Sequence, residues 1–139
     1  MPAINAYLIF NGNCAEAMRW YEQVLGGKLQ LMTHKDALPP EQIPPGMADR
    51  IMHARLEAAD GGVLMASDNF EGVQDKMTSF HVSLVYPTAD AARRVFDAFA
   101  EGGTVLMPFE KTFWADGFGM VTDRYGTPWM VNGGEPHKD

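Results

Sequence analysis

Residues 110–132 read EKTFWADGFGMVTDRYGTPWMVN, an aromatic segment with two Trp, two Phe and one Tyr. A turn pair, Asp116-Gly117, precedes a short apolar run, Phe118 to Thr122. A second turn, Asp123 to Gly126, precedes another run, Thr127 to Asn132. Short apolar runs separated by glycine-containing turns predict a β-meander that completes a sheet.

With the two runs of the meander included, one plan of strand, helix and three strands occurs twice along the chain. The predicted strands are Ile4 to Phe10, Lys28 to His34, Ile51 to Ala58 and Val63 to Ser67, then Ser79 to Tyr86, Thr104 to Phe109 and the two runs of the meander. The segment GGKLQL after the first helix resembles GGTVLM after the second, and their glycine pairs lie 76 residues apart. This repeat predicts an α+β fold with two βαβββ modules. We expect a single domain, residues 1–139, with modules of about 1–68 and 79–139, a single curved mixed sheet and helices on its convex side.

Local signals define the helices and the connections. Asn13 and Glu16 have the spacing of a capping box, and Thr88 is the expected N-cap of the second helix. The apolar stripes of the two helices are Cys14, Met18, Tyr21 and Leu25, and Ala92, Val95, Phe96 and Phe99. The segment Asp60-Gly61-Gly62 predicts a hairpin turn, and residues 68–78 are a polar linker. We expect His34 and His137 to be exposed, Asp123 to cap its turn, and Trp129 to pack under a helix.

Composition excludes several kinds of partner. The net charge is −7 and no block of Lys or Arg occurs, so neither nucleic acid nor an anionic membrane is an expected partner. No apolar run approaches the length of a transmembrane helix, and no signal peptide is visible. The single cysteine, Cys14, cannot form an internal disulfide and is expected to be buried, which fits a cytoplasmic location.

The arrangement resembles the vicinal oxygen chelate superfamily, which includes glyoxalase I, extradiol dioxygenases and bleomycin resistance proteins. The resemblance rests on YLIFNGNCAEAMRWYEQVLGG, IMHARL, LMASD and TFWADGFGMVTDRYGTPWMVN, which together span nearly the whole chain. The last of these is similar to the PhnB-like branch, whose methyltransferase label has no support here, because no glycine-rich loop suited to a nucleotide cofactor follows a strand. The resemblance also implies a homodimer, because related proteins often build their clefts across two chains.

Metal enzymes of this superfamily hold a divalent ion with four inward His or Glu side chains. Strand alignment places the corresponding positions at Asn5 (or Ala6, if the register slips by one), Met65, His81 and Met130. Only His81 is a good ligand for zinc, nickel, manganese or iron. We therefore expect neither a metal nor another cofactor.

A small-molecule site is expected instead. Its candidate ligand-binding residues are Asn5, Tyr7, His53, Arg55, Met65, His81, Phe113, Trp114 and Met130. His53, Arg55 and Glu57 alternate along one strand and form either a solvated sheet face or a polar pocket wall. His81 is either a neutral, hydrogen-bonded histidine or a polar anchor. An apolar cavity with a few placed polar groups is typical of ligand sites.

Three functions remain open from the sequence. The first is a metal-independent protein that binds a small molecule in a concave, partly aromatic pocket. The second is a metal-dependent lyase, isomerase or dioxygenase of the superfamily, or a metal-free enzyme with His81, Glu57 or His53 in acid–base roles. The third is a structural dimer with a vestigial pocket. The fold does not decide among them.

Overall fold

The computed structural model describes residues 2–59, 61–69 and 76–134. Asp60 of the predicted hairpin turn, residues 70–75 of the predicted linker and His137 lie outside these ranges. The chain divides into two compact units, residues 1–75 and 76–139, called modules 1 and 2 below. Each contains a strand, a long helix and three further strands, so the predicted α+β fold with two βαβββ modules is confirmed. Within the described ranges, none of the helices is both long and apolar enough to cross a lipid bilayer.

Hydrogen bonds join the strands into two four-stranded sheets, one in each module. The elements of module 1 are β1 (Ala6–Phe10), α1 (Cys14–Leu25), β2 (Lys28–Thr33), α2 (His34–Ala37), a 3-10 turn (Pro40–Gln42), β3 (Ile51–Glu57) and β4 (Val63–Asp68). Those of module 2 are β5 (Val82–Tyr86), α3 (Ala89–Ala100), β6 (Thr104–Glu110), β7 (Gly117–Thr122) and β8 (Pro128–Gly133). The sheet orders are β1-β4-β3-β2 and β5-β8-β7-β6, where a single curved sheet was expected. The first strand of each module pairs in parallel with the last strand of the same module, and this pairing makes each sheet separate.

The core of each module lies between its long helix and one face of its sheet. In module 1 the buried helix residues include Cys14, Met18 and Tyr21, as the stripe predicts. In module 2 the whole predicted stripe is buried, and Thr88 caps α3 by accepting a hydrogen bond from the Ala91 amide at 3.2 Å. Alternation along each strand then leaves the opposite face of each sheet free of the helix.

Helix α3 approaches its sheet closely at two glycines of β7. A Cβ atom added to Gly119 would lie 2.6 Å from Cε2 of Phe96, and one added to Gly117 would clash with the Phe109 ring. Because both glycines face α3, Phe118 between them must point to the opposite face. Trp129 stacks on Phe99 with ring centroids 4.4 Å apart, which confirms its predicted place under the helix.

The start of α1 differs from the predicted capping box. Asn13 makes no side-chain capping hydrogen bond. Asp68, at the end of β4, instead accepts hydrogen bonds through Oδ1 from the amides of Gly12 at 2.8 Å and Cys14 at 3.0 Å. Its Oδ2 accepts from the Ile51 amide at 2.9 Å. One buried carboxylate therefore joins the helix start to two strands, a role that local spacing does not reveal.

The prediction that His34 is exposed is wrong. The strand ends at Thr33, whose hydroxyl accepts a hydrogen bond from the Asp36 amide at 3.2 Å, and His34 begins the short helix α2. The His34 amide donates to the Arg50 carbonyl at 3.1 Å, and the Lys35 amide donates to the Ala48 carbonyl at 3.1 Å. The chain around residues 47–50 thus packs beside α2, and His34 is buried.

Candidate functional site

The open face of module 1 is the face of its sheet that points away from α1. It carries the following alternate strand residues: Tyr7, Ile9, Lys28, Gln30, Met32, His53, Arg55, Glu57, Val63, Met65 and Ser67. Strand register places Tyr7 opposite Met65, Met65 opposite Arg55, and Arg55 opposite Gln30. Four of the predicted ligand-binding residues, Tyr7, His53, Arg55 and Met65, therefore share one surface. Asn5 is exposed just before β1.

Tyr7 and His53 form a polar pair on this open face. The Tyr7 hydroxyl lies 3.2 Å from Nδ1 of His53, and the ring centroids are 5.8 Å apart. The two residues are 46 positions apart in sequence, and β4 lies between their strands. The contact joins side chains of two non-adjacent strands, and either the hydroxyl or Nδ1–H can be its donor, depending on the imidazole tautomer.

Arg55 and Glu57 form an ion pair two residues along the same strand. Arg55 Nε lies 3.3 Å from Glu57 Oε1, and the side chains are 38% and 60% exposed. A pair this exposed contributes little to stability, about 0–1 kcal/mol. Its position on the open face gives it access to solvent and to small solutes.

The open face of module 2 carries a row of methionines, with Glu110 and Asn132 opposite Phe118 on the neighbouring strands. Strand register places Ser83 opposite Met130, Met130 opposite Met120, and Met120 opposite Met107. Opposed residues of paired strands lie on the same face of a sheet. The three methionines of β6, β7 and β8 therefore form a row across this face, which we call the methionine row.

An aromatic cluster adjoins the methionine row. Trp114, in the loop between β6 and β7, contacts Phe118 edge-to-face with ring centroids 5.1 Å apart. Phe113 contacts Trp114 in the same geometry at 4.7 Å. Phe118 is buried, whereas Trp114 is 41% and Phe113 88% exposed. The cluster thus extends from the buried ring of Phe118 to the largely exposed ring of Phe113.

His81 lies just before β5, one residue ahead of the position that pairs with Trp129. Its Nε2 atom is buried and has no hydrogen-bond partner among the described residues. A buried polar atom without a partner costs about 1–3 kcal/mol. In the described part of the chain, His81 Nε2 thus lacks the hydrogen bond that one of the two sequence interpretations, a neutral and hydrogen-bonded histidine, requires.

The four positions that the sequence resemblance aligns with metal ligands carry residues that do not suit a divalent ion. Asn5 and Met65 belong to module 1, and His81 and Met130 to module 2. Thioethers select soft ions such as Cu(I), and an exposed amide adds little to a site for zinc, nickel, manganese or iron. Among residues 2–59, 61–69 and 76–134, no group of three or more His, Cys, Asp or Glu side chains could hold a metal ion.

The turn before β8 is held by Asp123, as predicted. Oδ1 of Asp123 accepts hydrogen bonds from the amides of Tyr125 at 2.8 Å and Thr127 at 3.1 Å. Oδ2 accepts from the Trp129 indole Nε1 at 2.8 Å. Asp123 is buried, and it sets the position at which β8 begins. It thereby supports the placement of Met130 on the open face.

Comparison with known proteins identifies the class. Residues 3–131 match the Glyoxalase/Bleomycin resistance protein/Dioxygenase superfamily, and the chain belongs to this family. The family resemblance expected from the sequence is therefore confirmed.

Two relatives are similar over almost their whole length. Protein YjdN from Escherichia coli (strain K12) is 35% identical over 141 residues, which cover 95% of each chain. The crystal structure of protein PA1353 from Pseudomonas aeruginosa has a TM-score of 0.85 and 45% identity, and covers 99% of this chain and 100% of that one. The fold is also that of the PhnB protein from Bacillus cereus, with a TM-score of 0.72, 23% identity and coverage of 94% and 98%.

Several contributors to these faces were not predicted from the sequence. The methionine row includes Met107 and Met120, and the aromatic cluster includes Phe118. Lys28 and Gln30 lie beside the ion pair of module 1. Alternation within a strand could have placed each residue on a face, but only strand register shows which residues are neighbours.

Proposed function

We propose that this chain binds a small molecule with a flat apolar body, without a metal ion. The ligand lies against the aromatic cluster, Phe113, Trp114 and Phe118, and the methionine row. The observation that carries the proposal is the exposure of Phe113 at 88% in a T-shaped pair with Trp114. A large apolar side chain left in water forgoes about 1.5–3 kcal/mol of burial, so this exposure favours a surface that is covered when it functions.

The chemistry of the neighbouring side chains supports the same proposal. Methionine is flexible and polarisable, and it adapts to apolar ligands of different shapes. Aromatic rings add offset or edge contacts of about 0.5–1.5 kcal/mol to a second ring. Mostly apolar lining with few polar groups is the usual composition of a small-molecule site.

The proposal also includes a homodimer in the cytoplasm. Exposed apolar side chains outside the aromatic cluster support a second chain as a partner, among them Val85 at 76% and Leu106 at 52% exposed. Their positions on β5 and β6, the two edge strands of the module 2 sheet, are suited to contact with another copy. Light scattering is expected to give the mass of two 15.4 kDa chains; a single-chain mass would rule the dimer out.

Binding can be tested with the neutral planar dye Nile red. We expect saturable binding, seen as a rise in dye fluorescence, and quenching of tryptophan emission. Trp114→Ala should weaken binding about tenfold or more, which corresponds to about 1.4 kcal/mol. Trp20→Ala is the matched control, because Trp20 lies on α1 of module 1. Equal affinity of Trp114→Ala and the unmodified protein would refute the proposed site.

A further inference from the structure

We propose that the open face of module 1 binds an oxyanion, a carboxylate or a phosphate group, through Arg55, His53 and Tyr7. This site goes beyond the proposed function, and it does not depend on the aromatic cluster or on any apolar ligand. The charges, the hydrogen-bond donors and the strand register of module 1 support it.

The charge of this face is opposite in sign to that of the whole chain. Its charged strand residues are the cations Lys28 and Arg55 and the anion Glu57, with Lys28 paired opposite Glu57 across β2 and β3. The face is therefore net positive by one with His53 neutral, on a chain of net charge −7. This positive excess acts at short range on a bound anion, whereas the net charge of the whole chain repels anions at a distance.

Arg55 has donors available for an anion. Among the described residues its guanidinium donates one hydrogen bond, from Nε to Glu57. The terminal nitrogens carry four further N–H groups. A guanidinium fork matches a carboxylate or phosphate in two parallel hydrogen bonds, the strongest geometry for such a contact. The side chain is 38% exposed, so its stem is partly held by the sheet while its donors remain accessible.

The Tyr7–His53 pair presents an outward donor in either neutral arrangement. The pair carries two exchangeable protons, one on the hydroxyl and one on the imidazole, and their mutual contact at 3.2 Å uses one of them. If the hydroxyl donates to Nδ1, the imidazole presents Nε2–H; if Nδ1–H donates, the hydroxyl proton points outward. A protonated imidazole presents both. Every state thus offers an N–H or O–H to an anion.

Strand register places Tyr7 and Arg55 at a suitable separation for an anion, with Met65 between them. Tyr7 and Arg55 both lie opposite Met65, so their strands are two spacings apart, about 10 Å. Their long side chains can converge from the two sides on a group above Met65. Hydrogen bonds to an oxyanion are about 2.7–2.9 Å long, which leaves room for one carboxylate or phosphate between them. Gln30 continues the row beyond Arg55 and supplies a further amide donor.

Glu57 opposes the anion and sets the strength of binding. Its carboxylate accepts from Arg55 at 3.3 Å and is itself 60% exposed. An incoming anion competes with it for Arg55 and is repelled by its charge. Removal of the two charges of this ion pair should therefore change anion affinity in opposite directions, a result that a merely structural pair would not produce.

The test is a two-dimensional ¹H–¹⁵N NMR titration of the full chain with inorganic phosphate and, separately, sodium acetate. Sodium chloride at the same ionic strength is the reference. We expect saturable shifts confined to β1, β3 and β4 and to the His53 ring signals. The acetate and phosphate arms distinguish a carboxylate from a phosphate as the preferred group. Shifts that chloride reproduces, or shifts located elsewhere, would overturn the proposal.

Charge-removing variants complete the test. Arg55→Gln should weaken phosphate binding about tenfold or more, and Glu57→Gln should tighten it severalfold. The matched control is the exposed ion pair of α3, Arg93 and Asp97, at 3.8 Å. Arg93→Gln and Asp97→Asn should leave the affinity unchanged. Weaker binding by Glu57→Gln, or equal effects of Arg55→Gln and Arg93→Gln, would refute the site; folding of each variant is verified by its NMR spectrum.

Discussion

Replacement of Asp123 by asparagine should destabilise the protein by about 3 kcal/mol. Asp123 is 4% exposed and accepts hydrogen bonds from two backbone amides and from the Trp129 indole. An asparagine oxygen can still serve Tyr125 and Thr127 from the Oδ1 position. The amide nitrogen then takes the Oδ2 position, where a donor faces the Trp129 donor. A hydrogen bond to a charged group contributes about 1.5–3 kcal/mol, and the opposed donors add to its loss.

Urea unfolding followed by both tryptophan fluorescence and far-ultraviolet circular dichroism measures this change. Coincident transitions justify a two-state free energy, and linear extrapolation gives its value in water. The matched control is Asp97→Asn, because Asp97 is an aspartate whose side chain is 62% exposed. Its effect should stay within about 0.5 kcal/mol. The double variant with Trp129→Phe isolates the indole contact, with an expected coupling of about 1–2 kcal/mol.

Two outcomes would refute this reasoning. A loss below about 0.5 kcal/mol for Asp123→Asn would mean that the carboxylate acts like a surface group. A coupling of zero in the double variant would mean that the 2.8 Å contact with Trp129 Nε1 does not contribute to stability. In either case the hydrogen bond from Trp129 to Asp123 would not be what stabilises the start of β8.

Three further predictions concern the reactivity of Cys14, the pH dependence of stability and the metal content. Burial, and to a smaller extent the charge of Asp68, raises the pKa of Cys14 from 9.0 to about 12. The native thiol should therefore react with Ellman's reagent only as fast as the protein opens. Rapid reaction of the folded protein would contradict this. Because the unfolded thiol ionises at lower pH than the native one, stability should fall as pH rises from 9.0 towards 12, and Cys14→Ala should show a smaller fall. Elemental mass spectrometry of protein purified without chelators or a histidine tag should find no stoichiometric transition metal, and added zinc, nickel or manganese should not bind. About one tightly held ion per chain, lost in His81→Ala, would favour the metal enzyme instead.

Much of the fold could be predicted because its signals are local and occur twice. The glycine pairs, the helical stripes and the turn residues each specify one element, and the repeat places the elements in order. Trp129 and Asp123 were assigned correctly because one follows from strand alternation and the other from turn chemistry. The division of the strands into two sheets was not predicted, since it depends on which distant segments pair through hydrogen bonds.

Contacts between distant residues explain the errors. Asn13 and Glu16 have the right spacing for a cap, yet Asp68 provides the helix start with its acceptor from 54 residues away. His34 follows a convincing strand, yet a capping box at Thr33 turns the chain and residues 47–50 pack beside it. In the first case a distant carboxylate supplies the acceptor, and in the second a local capping box competes with continuation of the strand. The spacing of residues in the sequence does not show which of these contacts the folded chain forms.

The two open faces show how one duplicated plan supports different chemistry. The row Tyr7, Met65, Arg55, Gln30 crosses β1, β4, β3 and β2, and the row Ser83, Met130, Met120, Met107 crosses β5, β8, β7 and β6 in the same order. Methionine is common to both at the last strand of the module, whereas arginine in one row corresponds to methionine in the other. The apolar cores lie on the helix-facing sides, so packing does not require this difference. A net positive face on module 1 and a methionine-bearing, aromatic-flanked face on module 2 are what the two proposed ligands, an oxyanion and a flat apolar molecule, would each require.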